Sequence, residues 1–252
     1  MNKFGIIFCG YNQEEHVEEA LFPFLNDERF VVACVSIPFQ EYQSFDYEDS
    51  TTEKLKNLYS QGKFKYFFDS PKYIKEFSAR NLAVEALKEE GVDYFWIADA
   101  DEKPTKEDLN KIIEFVEKDN DSFWWSLSYK NYIFDDKQYL EEPFCPPRIF
   151  KKEKMGCIFN GFYWDNCADY QSVSGNLISY TSLRNKTVPK DIAWIKHYTW
   201  PNNESAKRKV FYQKEHFQGV CSFDWDEREG LIFNESYYKN LGKSLPVILK
   251  EE

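Results

Sequence analysis

The chain has 252 residues, with 43 Asp and Glu against 32 Lys and Arg and a net charge of −11. That length fits one large domain, or one domain with a substantial insertion. The negative balance argues against a general nucleic-acid binder, whose phosphate contacts need a broad basic face, although it leaves room for one local basic groove. Hydrophobic residues make up 42% and aromatics 19%, enough to fill a core, and the 23 Phe and 17 Tyr suit aromatic-lined clefts or a coding bias equally. Six cysteines, at 9, 34, 145, 157, 167 and 221, form no Cys-x-x-Cys pair. Cys9 and Cys34 lie inside apolar runs and read as reduced, buried thiols of a cytoplasmic protein rather than a zinc or disulfide framework. The N-terminus enters a short apolar strand without a signal-peptide layout, and no apolar run approaches the roughly twenty residues that span a bilayer.

Phe4 to Cys9 is continuously apolar and bounded by Gly10, the pattern of a buried parallel strand. Asn12 before Gln13-Glu14-Glu15 predicts a capped helix carried on by Val17, Ala20, Leu21 and Phe24. Phe30 to Ile37 reads as a second buried strand ended by Pro38. The stretch from Gln40 to Thr52 is acidic and weakly patterned and reads as a loop, and Lys65 to Phe68 as a short third strand. Ser78 opens a helix with Ala79, Leu82, Ala83, Ala86 and Leu87 on its apolar face and Gly91 at its end. A strand over 92–98 follows. Thr105 with Asp108 caps the next helix, in which Leu109, Ile112, Ile113 and Val116 keep helical spacing. Phe123 to Tyr129 alternates and leads to a polar turn at Asp135-Asp136, where the sheet is expected to become antiparallel. Residues 130–195 read as short strands and long loops, 204–217 as a basic helix and the tail as a short helix. Strand–helix alternation followed by mixed strands, without repeats or a clear linker, gives an α/β chain.

The strongest local signal is Tyr94-Phe95-Trp96-Ile97-Ala98 running into Asp99-Ala100-Asp101-Glu102. An uncharged strand that stops in acids holds them at the sheet edge where open α/β folds bind ligands. Three carboxylates there repel one another unless a cation is present, and oxygen donors one residue apart suit a hard divalent ion with a diphosphate. Two other Asp-x-Asp matches, Asp119/Asp121 and Asp224/Asp226, sit in polar surroundings and read as solvated surface. The bland alternative for Asp99 and Asp101 is a helix-capping turn before Thr105.

Four segments together resemble the family-two-like glycosyltransferases. FCGYNQEEHVEEAL is similar to the family's first strand and helix. SARNLAVEAL followed by DYFWIADADE looks like its Ala-Arg-Asn helix feeding the strand with the Asp-x-Asp metal site. PPRIFKK and then FNGFYWD resemble the acceptor-side segment, and IKHYTW before a Lys/Arg helix resembles the late His that closes over the diphosphate. The resemblance implies a GT-A fold, a mixed, mainly parallel central sheet flanked by helices. It implies one domain over 1–252, with a nucleotide-sugar-binding half at 1–118 and an acceptor-side half with C-terminal helices at 119–252.

It further implies transfer of a sugar from a nucleotide-diphosphate donor, a UDP- or GDP-sugar, to an acceptor hydroxyl with inversion. Mn²⁺ or Mg²⁺ is implied, held by Asp99, Asp101 and His197, with Asp101 the direct ligand and Asp99 also approaching the ribose. Tyr11, Asn12, Arg80, Asn81, Asp99, Lys207 and Arg208 would border the nucleotide sugar, with Lys209 completing the basic run. A cation at Arg80 in a first helical turn opposes the helix dipole and calls for an anionic partner, Asp99 or a phosphate. Asp165 would be the catalytic base, with Asp169 equally eligible by sequence. His16 and His216, among Glu and Lys, read as surface, and Glu102 either supports the acids or is surface. Two departures stand out. Ser36-Ile37-Pro38-Phe39 replaces the acidic turn expected after the second strand, and Asp165 is a lone acid beside Trp164. Rival readings are an inactive carbohydrate-binding or scaffolding protein on the same fold, and a sugar-phosphate nucleotidyltransferase. Against the latter, Gly10-Tyr11-Asn12-Gln13-Glu14-Glu15 is acidic where a triphosphate-gripping loop should be basic. The acceptor is not readable from the sequence.

Overall fold

The computed structural model describes residues 1–40, 43, 49–134, 137–141, 147–152, 156–159, 169–171, 177–179, 185–200, 203–216, 223–240 and 244–250. They form two compact units, Met1–Ser128 with Phe144–Ile195, and Tyr129–Pro143 with Lys196–Glu252. The first carries β1 (Phe4–Cys9), α1 (Val17–Leu21), β2 (Phe30–Ser36), α2 (Thr51–Ser60), β3 (Tyr66–Asp69), α3 (Glu76–Lys88), β4 (Tyr94–Asp99), β5 (Glu102–Lys103), α4 (Lys106–Lys118) and β6 (Trp124–Ser126). After β7 (Tyr129–Ile133) and β8 (Gln138–Glu141) of the second unit, the chain returns to the first. There it forms β9 (Pro147–Lys151), β10 (Gly156–Phe159), β11 (Asp169–Gln171), β12 (Leu177–Ser179) and β13 (Asn185–Thr187).

The central sheet has the order β13-β6-β9-β4-β1-β2-β3. β1 runs parallel to β2 and β4, and β2 to β3, while β9 lies antiparallel between β4 and β6. The mixed, mainly parallel sheet is therefore the expected one. β9 and β13 return to the same sheet and complete it, so the two compact units do not follow chain order. β10, β11 and β12 make a small antiparallel sheet of their own.

Alternation along the strands sorts the core into two faces. Ile7 and Cys9 of β1, Phe95 and Ile97 of β4 and Phe150 of β9 share a buried cluster with Ala79, Ala83, Val84 and Leu87 of α3. On the other face, Phe4 of β1 stacks on Tyr94, and Phe24 meets Trp96 edge to face. Asp99 is two residues beyond Ile97, so its side chain continues the row that faces α3. That placement is fixed by strand period alone.

Several local expectations hold and several do not. The capping box on α4 forms, with Thr105 Oγ1 accepting from the Asp108 amide at 3.1 Å and Asp108 accepting from the Thr105 amide at 2.8 Å. Gly91 takes φ 67° past the end of α3, as a helix-ending glycine should. Asn12 does not cap α1: its φ of 56° is left-handed, and the helix starts only at Val17. The stretch read as loop up to Thr52 already contains the first two residues of α2. Leu82, expected on the buried stripe of α3, is 41% exposed, and Val84 takes its place. Cys9 and Cys34 are free and buried, as expected.

The second unit pairs its strands in the order β17-β8-β7-β14, where β14 is Ile195–Trp200 and β17 is Ile248–Lys250. It also holds α5 (Asn203–His216), a hairpin of β15 (Phe223–Asp226) and β16 (Gly230–Phe233), and α6 (Glu235–Asn240). Ala206 and Val210, one turn apart on α5, are buried with Leu140 and Phe223 in its core. The tail is thus a helix followed by a strand, the latter paired antiparallel with β8.

Asp119 is not a solvated loop residue. Its side chain is 8% exposed and accepts from the Asp121 amide (3.1 Å), the Ser122 hydroxyl (2.6 Å) and the Trp125 indole (3.0 Å). Burial alone would raise its pKa, but the Ser122 hydroxyl, the Asp121 amide, the indole and Lys186 outweigh it and hold the carboxyl below its ordinary value. A depressed folded-state pKa contributes stability above the unfolded value, and that contribution is lost as pH falls through the folded one. Asp119→Asn should therefore cost ~1–3 kcal/mol at neutral pH. Urea unfolding of both proteins across a pH series should show the gap closing as pH drops below the ordinary carboxylate value of 3.8.

Candidate active site

The acids of the β4 turn meet α3 and β9 through side chains that sheet register brings together. β1 and β4 pair in register to Cys9 opposite Asp99, and the Ala100 amide donates to the Cys9 carbonyl at 2.9 Å. Gly10 lets this turn lie close to α1, since a Cβ there would crowd Phe8 and Val17 at 3.3 Å and Ala100 at 3.4 Å. On α3, Glu76, Arg80, Ala83 and Leu87 lie on one stripe, and its polar end reaches the strand row at Asp99. On β9, Phe150 pairs with Phe95, so Arg148 two residues earlier lies on the same face.

The result is a buried chain of alternating charge. Arg80 forms an ion pair with Glu76, N to O 2.6 Å, and donates a hydrogen bond to Asp99 Oδ1 at 3.0 Å. Arg148 donates to Asp99 Oδ2 at 2.7 Å and, through Nε and Nη2, to Glu102 Oε1 at 2.9 and 2.6 Å. Arg80 and Glu102 are each 4% exposed, whereas the Asp99 side chain is 21% exposed. Burial works against the charge on Arg80, yet Glu76 and Asp99 keep its guanidinium firmly protonated. The Cys9 thiol beneath it is pushed up to about 12 by burial, against the pull of Arg80, and is no nucleophile.

Arg80 thus has the Asp99 partner expected of it, with Glu76 as a second that the sequence did not signal. Glu102 is a buried support, not surface. The cations that answer the repulsion at Asp99 are guanidinium groups of this chain. Asp101, two residues on, is half-buried, and Asn81 is half-exposed on α3. His16, expected at the surface, is 9% exposed. Burial first, then Lys103, lowers its pKa, while the Asp101 charge acts the other way. Among the described residues no group of three or more His, Cys, Asp and Glu side chains is gathered to hold a metal.

Tyr11 and Asn12 are half-exposed in the turn after β1. That turn is latched to the start of α2. The Gln13 amide donates to Thr51 Oγ1 at 2.7 Å, the Glu14 amide to Asp49 at 3.0 Å, and the Ser50 hydroxyl to Glu14 at 2.7 Å. Where an acid was expected after β2, Ser36 Oγ instead shares a hydrogen bond of 2.8 Å with Thr52 Oγ1. Ser50-x-x-Glu53 has the spacing of a helix-start signature and marks the start of α2, although the Ser50 hydroxyl donates to Glu14 and makes no cap bond within the helix.

In the second unit, His197 Nδ1 lies 2.6 Å from the side-chain oxygen of buried Asn131, with the Tyr129 ring 5.2 Å away. An Nδ1–H donating to that oxygen leaves Nε2 with its lone pair. Lys207 pairs with Glu227 at 2.8 Å, and Arg208 with Glu204 at 3.2 Å. Both acids are exposed, so these are exchangeable surface pairs. Asp165 lies outside the described residues, as do the side chains of Asp169 and His216.

Residues 45–168, just under half of the chain, match the family model described as Glycosyl transferase family 2. That stretch contains α3, β4 and the acid turn. In that stretch the chain is similar to the family 2 glycosyltransferases, and its mixed, mainly parallel sheet agrees with a GT-A-like fold. No curated protein sequence matches the chain. Among solved structures, S. aureus TarS 1–349 is similar at 15% identity and a TM-score of 0.48, over 87% of this chain and 66% of that one. The same fragment in complex with UDP-GlcNAc gives 15% identity and 0.49, over 90% and 68%. A longer TarS chain gives 16% and 0.48, over 87% and 40%. This chain therefore spans from two fifths to about two thirds of those proteins, and no residue role is carried over from them.

The ion chain makes a stability prediction. Arg80→Met strands the deeply buried Glu76 and leaves Asp99 with Arg148 alone, and should cost ~3–5 kcal/mol. Adding Glu76→Gln should return part of that loss in chemical denaturation. A single variant as stable as the parent would show that Glu76 and Asp99 do not depend on Arg80.

Proposed function

We propose that this chain is a glycosyltransferase that moves a sugar from a nucleotide-diphosphate donor to an acceptor hydroxyl, with inversion and with the help of Mn²⁺ or Mg²⁺. The observation that carries the reading is the family 2 match across the helix and strand that place Asp99 and Asp101 at the carboxyl end of a parallel sheet. Asp101 is the residue proposed to hold the cation. One protein carboxylate suits such an ion, because Mg²⁺-type sites typically take one or two carboxylates and complete their shell with phosphate oxygens and water. The bound cation would supply compensation for the negative charge that grows on the departing diphosphate.

The chain's own residues do the rest. Asp99, fixed from beneath by two arginines, offers a carboxylate of set orientation to a ribose hydroxyl. Tyr11 and Asn12 border the nucleotide from the latched turn after β1, with Asn81 on the α3 side. His197, Lys207 and Arg208 are assigned to the diphosphate, the lysine and arginine by exchanging their exposed partners for phosphate. Asp165, or failing it Asp169, takes the proton of the acceptor hydroxyl as it attacks. No helix among the described residues is long and apolar enough to cross a membrane. Free Cys9 and Cys34 favour a reducing, cytoplasmic setting.

The parent protein should show a Mn²⁺-dependent thermal shift with a nucleoside diphosphate, and Asp101→Ala should abolish both that shift and donor turnover while the fold survives. Turnover that persists in EDTA, or in this variant, rules the metal reading out. Asp165→Asn should leave donor binding nearly unchanged and slow transfer by roughly a hundredfold or more. Loss in Asp169→Asn instead would move the base four residues along the chain.

A further inference from the structure

Arg148 and Glu102 have no part in the chemistry assigned above, yet they are buried beside it. Both Asp99 carboxylate oxygens accept from guanidinium groups, Oδ1 from Arg80 and Oδ2 from Arg148, at 3.0 and 2.7 Å. Arg148 is itself fixed by two hydrogen bonds to one oxygen of Glu102. A guanidinium is planar and forks between acceptors, so its orientation toward Asp99 is dictated by its grip on Glu102. The two residues come from distant parts of the sequence, Glu102 from the end of the acid turn and Arg148 from β9. Their pairing costs desolvation that a hydrophobic pair would avoid, which calls for a reason beyond stability.

We propose that Arg148 and Glu102 are positioning residues that hold the Asp99 carboxylate out of the metal's inner shell and leave Asp101 to bind the cation. The proposal rests on the metal-dependent reading above. A carboxylate with an arginine on each oxygen has lost most of its attraction for a divalent ion, since coordination would have to displace a charge-assisted hydrogen bond. It keeps outward lone pairs and a locked plane, which suits a neutral hydroxyl donor. The nucleotide-free site is then a weak, single-carboxylate one, completed by the diphosphate that arrives with the sugar.

The test is Mn²⁺ binding to the full, nucleotide-free chain, followed by electron paramagnetic resonance of the free ion. In the parent protein Asp99→Asn should change Mn²⁺ affinity by no more than about twofold, because that carboxylate is not a ligand. The double variant Glu102→Gln/Arg148→Gln removes one acid and one base together, so the net charge of the turn is unchanged. It should bind Mn²⁺ at least about tenfold more tightly, because adding a carboxylate ligand tightens such sites. Adding Asp99→Asn to the double variant should cancel the gain. If Asp99→Asn weakens Mn²⁺ tenfold in the parent, or the double variant gains nothing, the clamp is refuted. Should the double variant prove unfolded by circular dichroism, Arg148→Lys keeps the charge but not the fork and must show the same gain in direction. Absence of binding in all of them also refutes the clamp. The metal reading is judged separately by Asp101→Ala with donor present.

Discussion

The site hangs on one carboxylate held between two buried guanidinium groups. Asp99 is the only member of the five-residue ion chain with appreciable exposure, and each of its oxygens is committed to a different element of the unit. Removing either arginine would leave negative charge in a poorly solvated place, so the geometry of α3, β4 and β9 is coupled through a single side chain. The hydrophobic rows beneath it, Phe95 and Ile97 on the strand against Ala83 and Leu87 on the helix, set the spacing at which Arg80 can reach it.

Much of this was legible in the sequence, because it depends on period. An uncharged strand ending in acids, a helix with apolar residues every third or fourth position and a Thr-x-x-Asp cap all report local physics, and β1, β2, β4 and α4 form where they were expected. What could not be read is pairing between distant segments. Nothing near Arg148 announces Glu102, since the two meet only when β9 inserts antiparallel beside β4. His16 misled for the same reason: its glutamate neighbours suggest solvent, but the close approach that Gly10 permits sinks the start of α1 toward the acid turn.

Two local features carry more than their polar composition suggests. Asn12 has the spacing of a cap, but asparagine also tolerates left-handed backbone, and the amide of the next residue finds its partner on Thr51 instead. The polar neighbours of Asp119 suggest solvent, but the same Asp-Asn-Asp-Ser run supplies the donors that a buried Asx turn needs. Polar composition says that hydrogen bonds must be made. It does not say whether water makes them.

The same caution applies to the acid turn. Three carboxylates in four residues demand compensating charge, and a metal ion is the usual inference. Here the chain itself supplies two cations to that turn, and they neutralise the carboxylate that points along the α3 row while the next acid, Asp101, lies beyond it. Counting acids in a motif therefore overstates the ligands available to an ion. The arginines decide how many remain, and they are found on elements that the motif does not include. On the proposed reading, a site built this way would separate two tasks that one pair of aspartates would otherwise share: a locked, charge-compensated acceptor for a neutral hydroxyl, and a single charged ligand whose affinity for the cation would stay low until phosphate oxygens joined it.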